Sequence, residues 1–353
     1  MPVFNRQELI KALRLVSSVV PDKTPTPVLQ FVSMKSLDGV ATLAATDHVV
    51  YVVTTVPCSD DFSECLLPAT HLLGLLSAST SESVTITVTS NGVMMVDATG
   101  TYTMPTPDKA EFPSRDKVAE LTFSTDSIYI NRALPLVLAC VDDKSGGGAY
   151  YIEGVRFDCT NGVVQLVSTD QTRLCVCVLG SGNLEPFTIP RPVVKLVSQM
   201  QGKISIGCDG DVATFVSDTM TVTSRTMVGA FPKYQKVLDR IKSHELWSVK
   251  AEELEEALRK ACLFTQAETQ AVNLSIGETT TKITSQGADV GKCGISVGGG
   301  SAASGSVIVN GQKLLGFLQK VPASLPVEFK VKSDISIRVG DFCQLLMSSM
   351  EVR

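Results

Sequence analysis

The sequence predicts an α+β protein of three tandem, similar domains, each with two helices packed on antiparallel sheets. Three observations predict it. Gly39-Val40-Ala41-Thr42-Leu43-Ala44-Ala45-Thr46-Asp47 returns as Gly162-Val163-Val164-Gln165-Leu166-Val167-Ser168-Thr169-Asp170, with a degenerate third copy at Thr281-Lys282-Ile283-Thr284-Ser285-Gln286-Gly287. Ala110-Glu111-Phe112-Pro113 is echoed by Gly229-Ala230-Phe231-Pro232. The offsets agree, at 123 residues for the Thr-Asp pairs (170 minus 47) and 119 for the Phe-Pro pairs (231 minus 112). A period this long marks repeated domains, and 353 residues divide into three units of roughly 100 to 130 each.

The elements follow in the same order in each third. In the first, Phe4 to Val20 carries a helical stripe of Leu9, Leu13, Val16 and Val20, with Arg6, Lys11 and Arg14 on the remainder. Val28 to Ser33, Val40 to Ala45 and Val49 to Val56 read as strands, Pro68 to Ala78 as a second helix. Val84 to Val88 and Val93 to Val96 flank the turn Ser90-Asn91-Gly92 as a hairpin.

The second third gives a helix near Ser127 to Val141, which Pro135 should kink or break. Strands at Val155 to Cys159, Val163 to Ser168 and Leu174 to Leu179 follow. Next come a helix from Pro190 to Met200 and strands at Ile204 to Cys208, Val212 to Ser217 and Met220 to Thr226. In the final third, Ser248 can cap a helix reaching Phe264 and Asn310 one reaching Lys320. Strands are expected at Val272 to Ile276, Thr281 to Thr284, Ser306 to Val309, Val327 to Val331 and Ile335 to Val339. The run Gly298 to Gly305 reads as a flexible loop between two of these. Domain boundaries are placed at 1–119, 120–244 and 245–353.

Composition narrows the function classes. Hydrophobic residues make up 44% and charged residues 19%, an ordinary globular balance. Met1 to Lys11 holds no apolar run behind basic residues, and no stretch is apolar enough to span a bilayer, so a cytoplasmic protein without membrane contact is expected. The net charge of -5 argues against a wholly basic nucleic-acid binder but leaves room for a local basic face. The ten cysteines are scattered, without C-x-x-C, and His48, His71 and His244 are far apart. Cys175 and Cys177 share one face of a strand. Reduced, buried thiols are expected, with no metal and no cofactor. The repeated Thr46-Asp47 and Thr169-Asp170 could suggest carboxylate catalysis. Their equivalent strand-end places fit turn chemistry better, and no phosphate-binding glycine loop or nucleophile elbow is present.

Several phrases carry a family resemblance: Tyr150-Tyr151-Ile152-Glu153-Gly154, Ser168-Thr169-Asp170-Gln171-Thr172-Arg173-Leu174, Ile189-Pro190-Arg191 and Thr223 to Tyr234. Val19-Val20-Pro21 followed by Lys23-Thr24-Pro25-Thr26-Pro27-Val28-Leu29 fits the same pattern. Over essentially its whole length the chain resembles the bacterial DNA polymerase III β subunit, the β sliding clamp. The resemblance implies the DNA clamp fold in a head-to-tail homodimeric ring, with helices lining the hole. It also implies a non-catalytic processivity factor that encircles duplex DNA without reading sequence, and that holds polymerase and clamp loader through short hydrophobic peptide motifs.

Such a ring needs spaced cations that meet phosphates loosely. Lys11, Arg14, Lys23, Arg191, Lys195, Lys260 and Lys313 are the candidates. Of these, Lys23 and Arg191 match basic family positions near DNA, as do Tyr150 and Tyr151 among the aromatics. Carried over position by position, the partner-peptide pocket comprises Ile152, Thr169, Gln171, Thr172, Arg173, Leu174, Val237, Asp239, Leu345, Leu346 and Met347. Tyr102 and Met104 on the first domain, with Leu263 and Phe264 on the third, match the family's dimer seam. The chain departs from the family at three places. Gln171-Thr172 replaces Gly-His, Asp239 stands where proline is common, and Ser348 to Arg353 replaces a Pro-Met-Arg-Leu-like ending. These departures leave open a phage-, plasmid- or repair-dedicated paralogue with altered partner choice.

Overall fold

A computed structural model describes residues 2–89, 92–114, 118–141, 152–302 and 304–350. One order of elements, a strand, a helix, four strands, a helix and three strands, runs three times along the chain. The first passage is β1 (Val3–Asn5), α1 (Arg6–Ser17), β2 (Phe31–Leu37), β3 (Val40–Thr46), β4 (Val50–Pro57), β5 (Phe62–Pro68), α2 (Ala69–Ala78), β6 (Ser83–Thr89), β7 (Gly92–Val96) and β8 (Thr101–Met104). The second is β9 (Phe123–Asp126), α3 (Ser127–Leu138), β10 (Gly154–Thr160), β11 (Val163–Thr169), β12 (Arg173–Ser181), β13 (Phe187–Pro190), α4 (Arg191–Val197), β14 (Lys203–Asp209), β15 (Val212–Val216) and β16 (Met220–Arg225). A short α5 (Gln235–Leu238) leads to the third. This is β17 (Glu245–Trp247), α6 (Ala251–Ala261), β18 (Ala271–Ile276), β19 (Thr280–Gly287), β20 (Gly291–Gly298), β21 (Gly305–Asn310), α7 (Gly311–Leu318), β22 (Val327–Val331), β23 (Ile335–Val339) and β24 (Cys343–Met347).

Among the described residues all strand pairs are antiparallel, and they form four sheets. The chain divides into two compact bodies. The first, Met1–Ser127 with Lys195–Thr226, holds a four-stranded sheet ordered β1-β6-β7-β8 and an eight-stranded sheet ordered β5-β2-β3-β4-β16-β15-β14-β9. The second, Ile128–Val194 with Met227–Arg353, holds an eight-stranded sheet ordered β13-β10-β11-β12-β24-β23-β22-β17 and a four-stranded sheet ordered β20-β19-β18-β21. Each eight-stranded sheet is two four-strand sets from successive repeats, joined at β4–β16 in one body and β12–β24 in the other.

Local chemistry places the helices. Asn5 Oδ1 accepts from Gln7 N at 3.0 Å and Glu8 N at 3.1 Å, so α1 starts at Arg6 and Phe4 pairs in β1 instead. Leu9, Ile10, Leu13 and Val16 are buried, leaving Lys11 and Arg14 exposed on the opposite face. Asn310 caps α7 by accepting from Lys313 N at 2.9 Å, as expected. Trp247 is buried, edge-on to Phe329 at 5.5 Å between centroids, and its indole N–H reaches Thr281 Oγ1 at 2.9 Å.

The structure corrects several expectations. Val28 to Ser33 is not one strand, because Pro27 starts a 3₁₀ turn through Gln30 and β2 begins only at Phe31. Pro135 does not break α3, which continues to Leu138. Leu134, Leu136 and Val137 are buried and hold this turn against the core. Ser248 does not cap α6; Lys250 occupies that position, and Ser248 N donates to Gly300 O at 2.9 Å. The loop after β20 is tied down at its start, since Gly299 N donates to Thr279 O and Ser301 N to Gly277 O, both at 2.9 Å. Gly299 has φ +104°, and a Cβ there would lie 1.6 Å from Ser248 O, so backbone approach demands glycine. The turn residues Ser90 and Asn91 lie outside the described residues.

Candidate functional site

The repeated Thr-Asp phrase builds the same turn twice. In the first copy His48 N donates to Thr46 Oγ1 at 3.1 Å, and Val49 N and Val50 N donate to Asp47 Oδ1 at 2.9 and 2.7 Å. In the second, Gln171 N donates to Thr169 Oγ1 at 3.1 Å, and Thr172 N and Arg173 N donate to Asp170 Oδ1 at 3.1 and 2.7 Å. His48 and Gln171 both adopt positive φ, at 72° and 69°. Both aspartates therefore serve the turn through local side-chain bonds to backbone N–H groups.

The second turn carries more than the first. Asp170 Oδ2 also accepts from Arg173 Nε and Nη2 at 3.0 and 2.9 Å and from Lys313 Nζ at 2.8 Å. Arg173 Nη1 donates to Lys313 O at 3.0 Å, Lys313 Nζ to Thr172 Oγ1 at 3.0 Å, and Ser348 N to Thr172 O at 2.9 Å. The β11–β12 turn, α7 and the tail after β24 are thus locked together. Burial pushes the Asp170 carboxyl up, but Arg173 and Lys313 outweigh it and hold the carboxyl below the ordinary range.

An apolar groove lies on the sheet beside this network. Val167, Leu174, Val176 and Tyr234 form a buried cluster, with Phe231, Val237 and Leu238 packed against it. The Phe231-to-Tyr234 phrase anchors the wall. Phe231 and Tyr234 meet edge-on at 6.4 Å, and Arg156 lies 5.6 Å from the Phe231 ring. Tyr234 Oη donates to Asp158 Oδ2 at 2.5 Å and accepts from Gln165 Nε2 at 2.5 Å. Burial first, then the Asp158 carboxylate, push the Tyr234 phenol well above its ordinary value, so it stays a donor. This anchoring brings Leu238 and Ile241 opposite Val176, Val178 and Phe342 across a cavity of about 350 Å³. Cys343 and Gln344 on β24 also line it, and Lys242, Lys330, Arg338 and Asp341 give the slot a mainly basic margin.

The register sorts the expected pocket residues. Leu174 pairs with Leu346 and Val176 with Gln344, which puts them on one face, while Arg173 pairs with Met347 and Cys175 with Leu345 on the other. Leu174 and Val237 belong to the groove cluster. Thr169, Gln171, Thr172 and Arg173 build the locked turn. Ile152, Leu345, Leu346 and Met347 are buried, and Asp239 is exposed, with Lys242 Nζ at 2.6 Å. Sequence reasoning missed Val176, Val178, Leu238, Ile241 and Phe342. Period-two extension from Leu174 points to the first two; nothing local marks the others.

The expected cations differ in their surroundings. Lys11, Arg14, Lys23 and Lys195 are exposed, and Arg191 is half-buried at the start of α4. Lys260 Nζ sits 2.6 Å from Glu256, and Lys313 is committed to Asp170. Tyr150 and Tyr151 lie outside the described residues. At the expected seam, Met104 is buried and Tyr102 half-buried on β8, while Leu263 is 72% exposed beside half-buried Phe264. The short helical turn Cys262–Phe264 packs against β20.

Fold order, paired sheets and groove together define a sliding-clamp type of protein, and comparisons with known proteins agree. A model of the DNA polymerase III β subunit N-terminal domain matches residues 3–116. The β sliding clamp of Escherichia coli K12 is 26% identical over 308 residues, covering 79% of this chain and 78% of that one. That of Haemophilus influenzae is 24% identical over 294 residues, covering 80% and 79%. Among solved structures, the DNA polymerase III subunit β of Pseudomonas aeruginosa superposes with a TM-score of 0.90 at 21% identity over 100% of both chains. A Pseudomonas aeruginosa clamp bound to griselimycin gives 0.90 at 20% identity over 99% of both chains. The chain is thus similar to β sliding clamps, the β subunits of DNA polymerase III, in sequence over about four fifths of its length and in fold throughout. Among the described residues, no helix is long and apolar enough to cross a membrane.

Proposed function

We propose that two copies of this clamp close head to tail into a ring around duplex DNA. One observation carries the reading. Strands β4 and β16 close one inter-repeat seam and β12 and β24 the other. The strands in the corresponding places of the remaining two sets, β8 and β20, have no outer partner among the described residues. β20 alternates half-buried Cys293, Ile295 and Val297 with exposed neighbours, a pattern suited to a sheet that continues. Pairing β8 of one copy with β20 of the next repeats the internal seam. Tyr102, Met104, Leu263 and Phe264 flank it.

The three domains on this reading are 1–119, 120–244 and 245–353. Lys11, Arg14, Lys23, Arg191 and Lys195 would meet phosphates loosely, and on the family resemblance Tyr150 and Tyr151 would also contact DNA. Lys260 and Lys313 contribute less because each already faces a carboxylate. The groove beside Leu174 would take short peptides with hydrophobic anchors from a polymerase or clamp loader. The role is non-catalytic and intracellular. The Escherichia coli and Haemophilus influenzae relatives do not favour a specialised paralogue.

Sedimentation equilibrium at sub-micromolar concentration tests the ring. The expected mass is near twice 37.7 kDa, falling to the monomer on Leu263→Asp with circular dichroism unchanged. A wild-type monomer would overturn the reading.

A further inference from the structure

Three thiols converge on the helix-facing side of the β12–β24 seam. Cys175 Sγ lies 3.9 Å from Cys177 Sγ and 3.6 Å from Cys343 Sγ, and the three sulfurs are mutually within 4.8 Å. All three are buried, at 0%, 0% and 3% exposure. Cys140, also buried, lies near Cys175 just past the end of α3. The register dictates the convergence. Cys177 pairs directly with Cys343, and Cys175 is two residues along on the same face.

From this geometry we infer that Cys175, Cys177 and Cys343 form a site for a thiophilic dication of the zinc class, stapling β12 to β24. A metal about 2.3 Å from each sulfur sets sulfur separations of about 3.8 to 4.0 Å, so the three sulfurs need only small shifts, the 3.6 Å pair widening slightly. Three thiols release three protons as the dication binds, leaving the centre at minus one. Asp170, Arg173 and Lys313 sum to plus one, and Arg173 projects from the face of β12 that carries Cys175.

The other seam supplies an internal comparison. Aligning the Asp47 and Asp170 turns puts Val52 at the place of Cys175, Thr54 at Cys177 and Met220 at Cys343, and Thr54 pairs with Met220 as Cys177 does with Cys343. The fold closes this seam without thiols. The sulfurs at the second seam are therefore a local addition, and the inference stands apart from the clamp reading.

The test uses the full-length protein, reduced and metal-free, titrated with Co(II) and separately with Cd(II). The expected result is uptake of a single metal per chain, a thiolate-to-metal charge-transfer band and a higher Tm. All three should be lost in the double variant Cys175→Val, Cys343→Met, which copies the first seam, and retained in Cys58→Ser, a cysteine outside the cluster. Absence of the band in wild type, or an equal band in the double variant, would overturn the site. Should the double variant fail to fold, the wild-type spectrum and its proton release decide, because weak surface binding gives neither.

Discussion

Arg173 turns back on Asp170, three residues earlier, and places two guanidinium nitrogens 3.0 and 2.9 Å from a single carboxylate oxygen. Lys313 shares that oxygen, so one buried carboxylate holds two cations from distant parts of the second body. Replacing Asp170 with Ala strands both charges and removes three backbone and side-chain bonds at the turn. A loss of about 3–5 kcal/mol is expected in urea unfolding.

The same pair sets a pH dependence. The Asp170 carboxyl is held below its ordinary range, so its contribution is complete above the unfolded value, about 3.9, and fades as pH falls through the lower folded value. The stability difference between wild type and Asp170→Asn should therefore be constant near neutrality and shrink in acid. A difference that grew on acidification would contradict the assignment.

The groove depends on Leu238 and Ile241, which are only partly buried and can be changed without opening the core. Ile241→Asp should weaken a short hydrophobic partner peptide at least tenfold, about 1.4 kcal/mol, while Tm stays near wild type. Fluorescence anisotropy with a labelled peptide reads this directly.

Gly299 tests the packed loop. Alanine there meets Ser248 O and must hold φ near +104°. Gly299→Ala should cost more than about 1 kcal/mol, whereas Gly305→Ala, with open space around it, should cost less. Thermal unfolding separates the two.

The cations on α1 should act through charge alone. Lys11→Ala with Arg14→Ala is expected to lower DNA retention equally on all sequences and to flatten the salt dependence, by roughly 0.9 in slope for each phosphate no longer neutralised. Lys260→Ala should change it far less, because Glu256 already offsets that charge at 2.6 Å.

The repeat was readable because turn chemistry demands particular side chains: Thr and Asp at the β3–β4 and β11–β12 turns leave a trace that survives divergence. The core strands β3, β11 and β18 were readable from alternation. β20 was not, since Gly291, Gly294 and Gly298 interrupt its pattern, nor was β8, only four residues long. The locked turn was half legible. Thr169 to Arg173 are local, but the bonds to Lys313 span 140 residues or more. The thiol cluster was less so, because Cys343 approaches Cys175 across 168 residues and only the β12–β24 register reveals it.

The most direct measurement is topological. With a bacterial clamp loader and ATP, the protein should remain on nicked circular plasmid through gel filtration at high salt and be released by a single linearising cut. Equal retention on circular and linear DNA, or loss from both, would contradict encirclement.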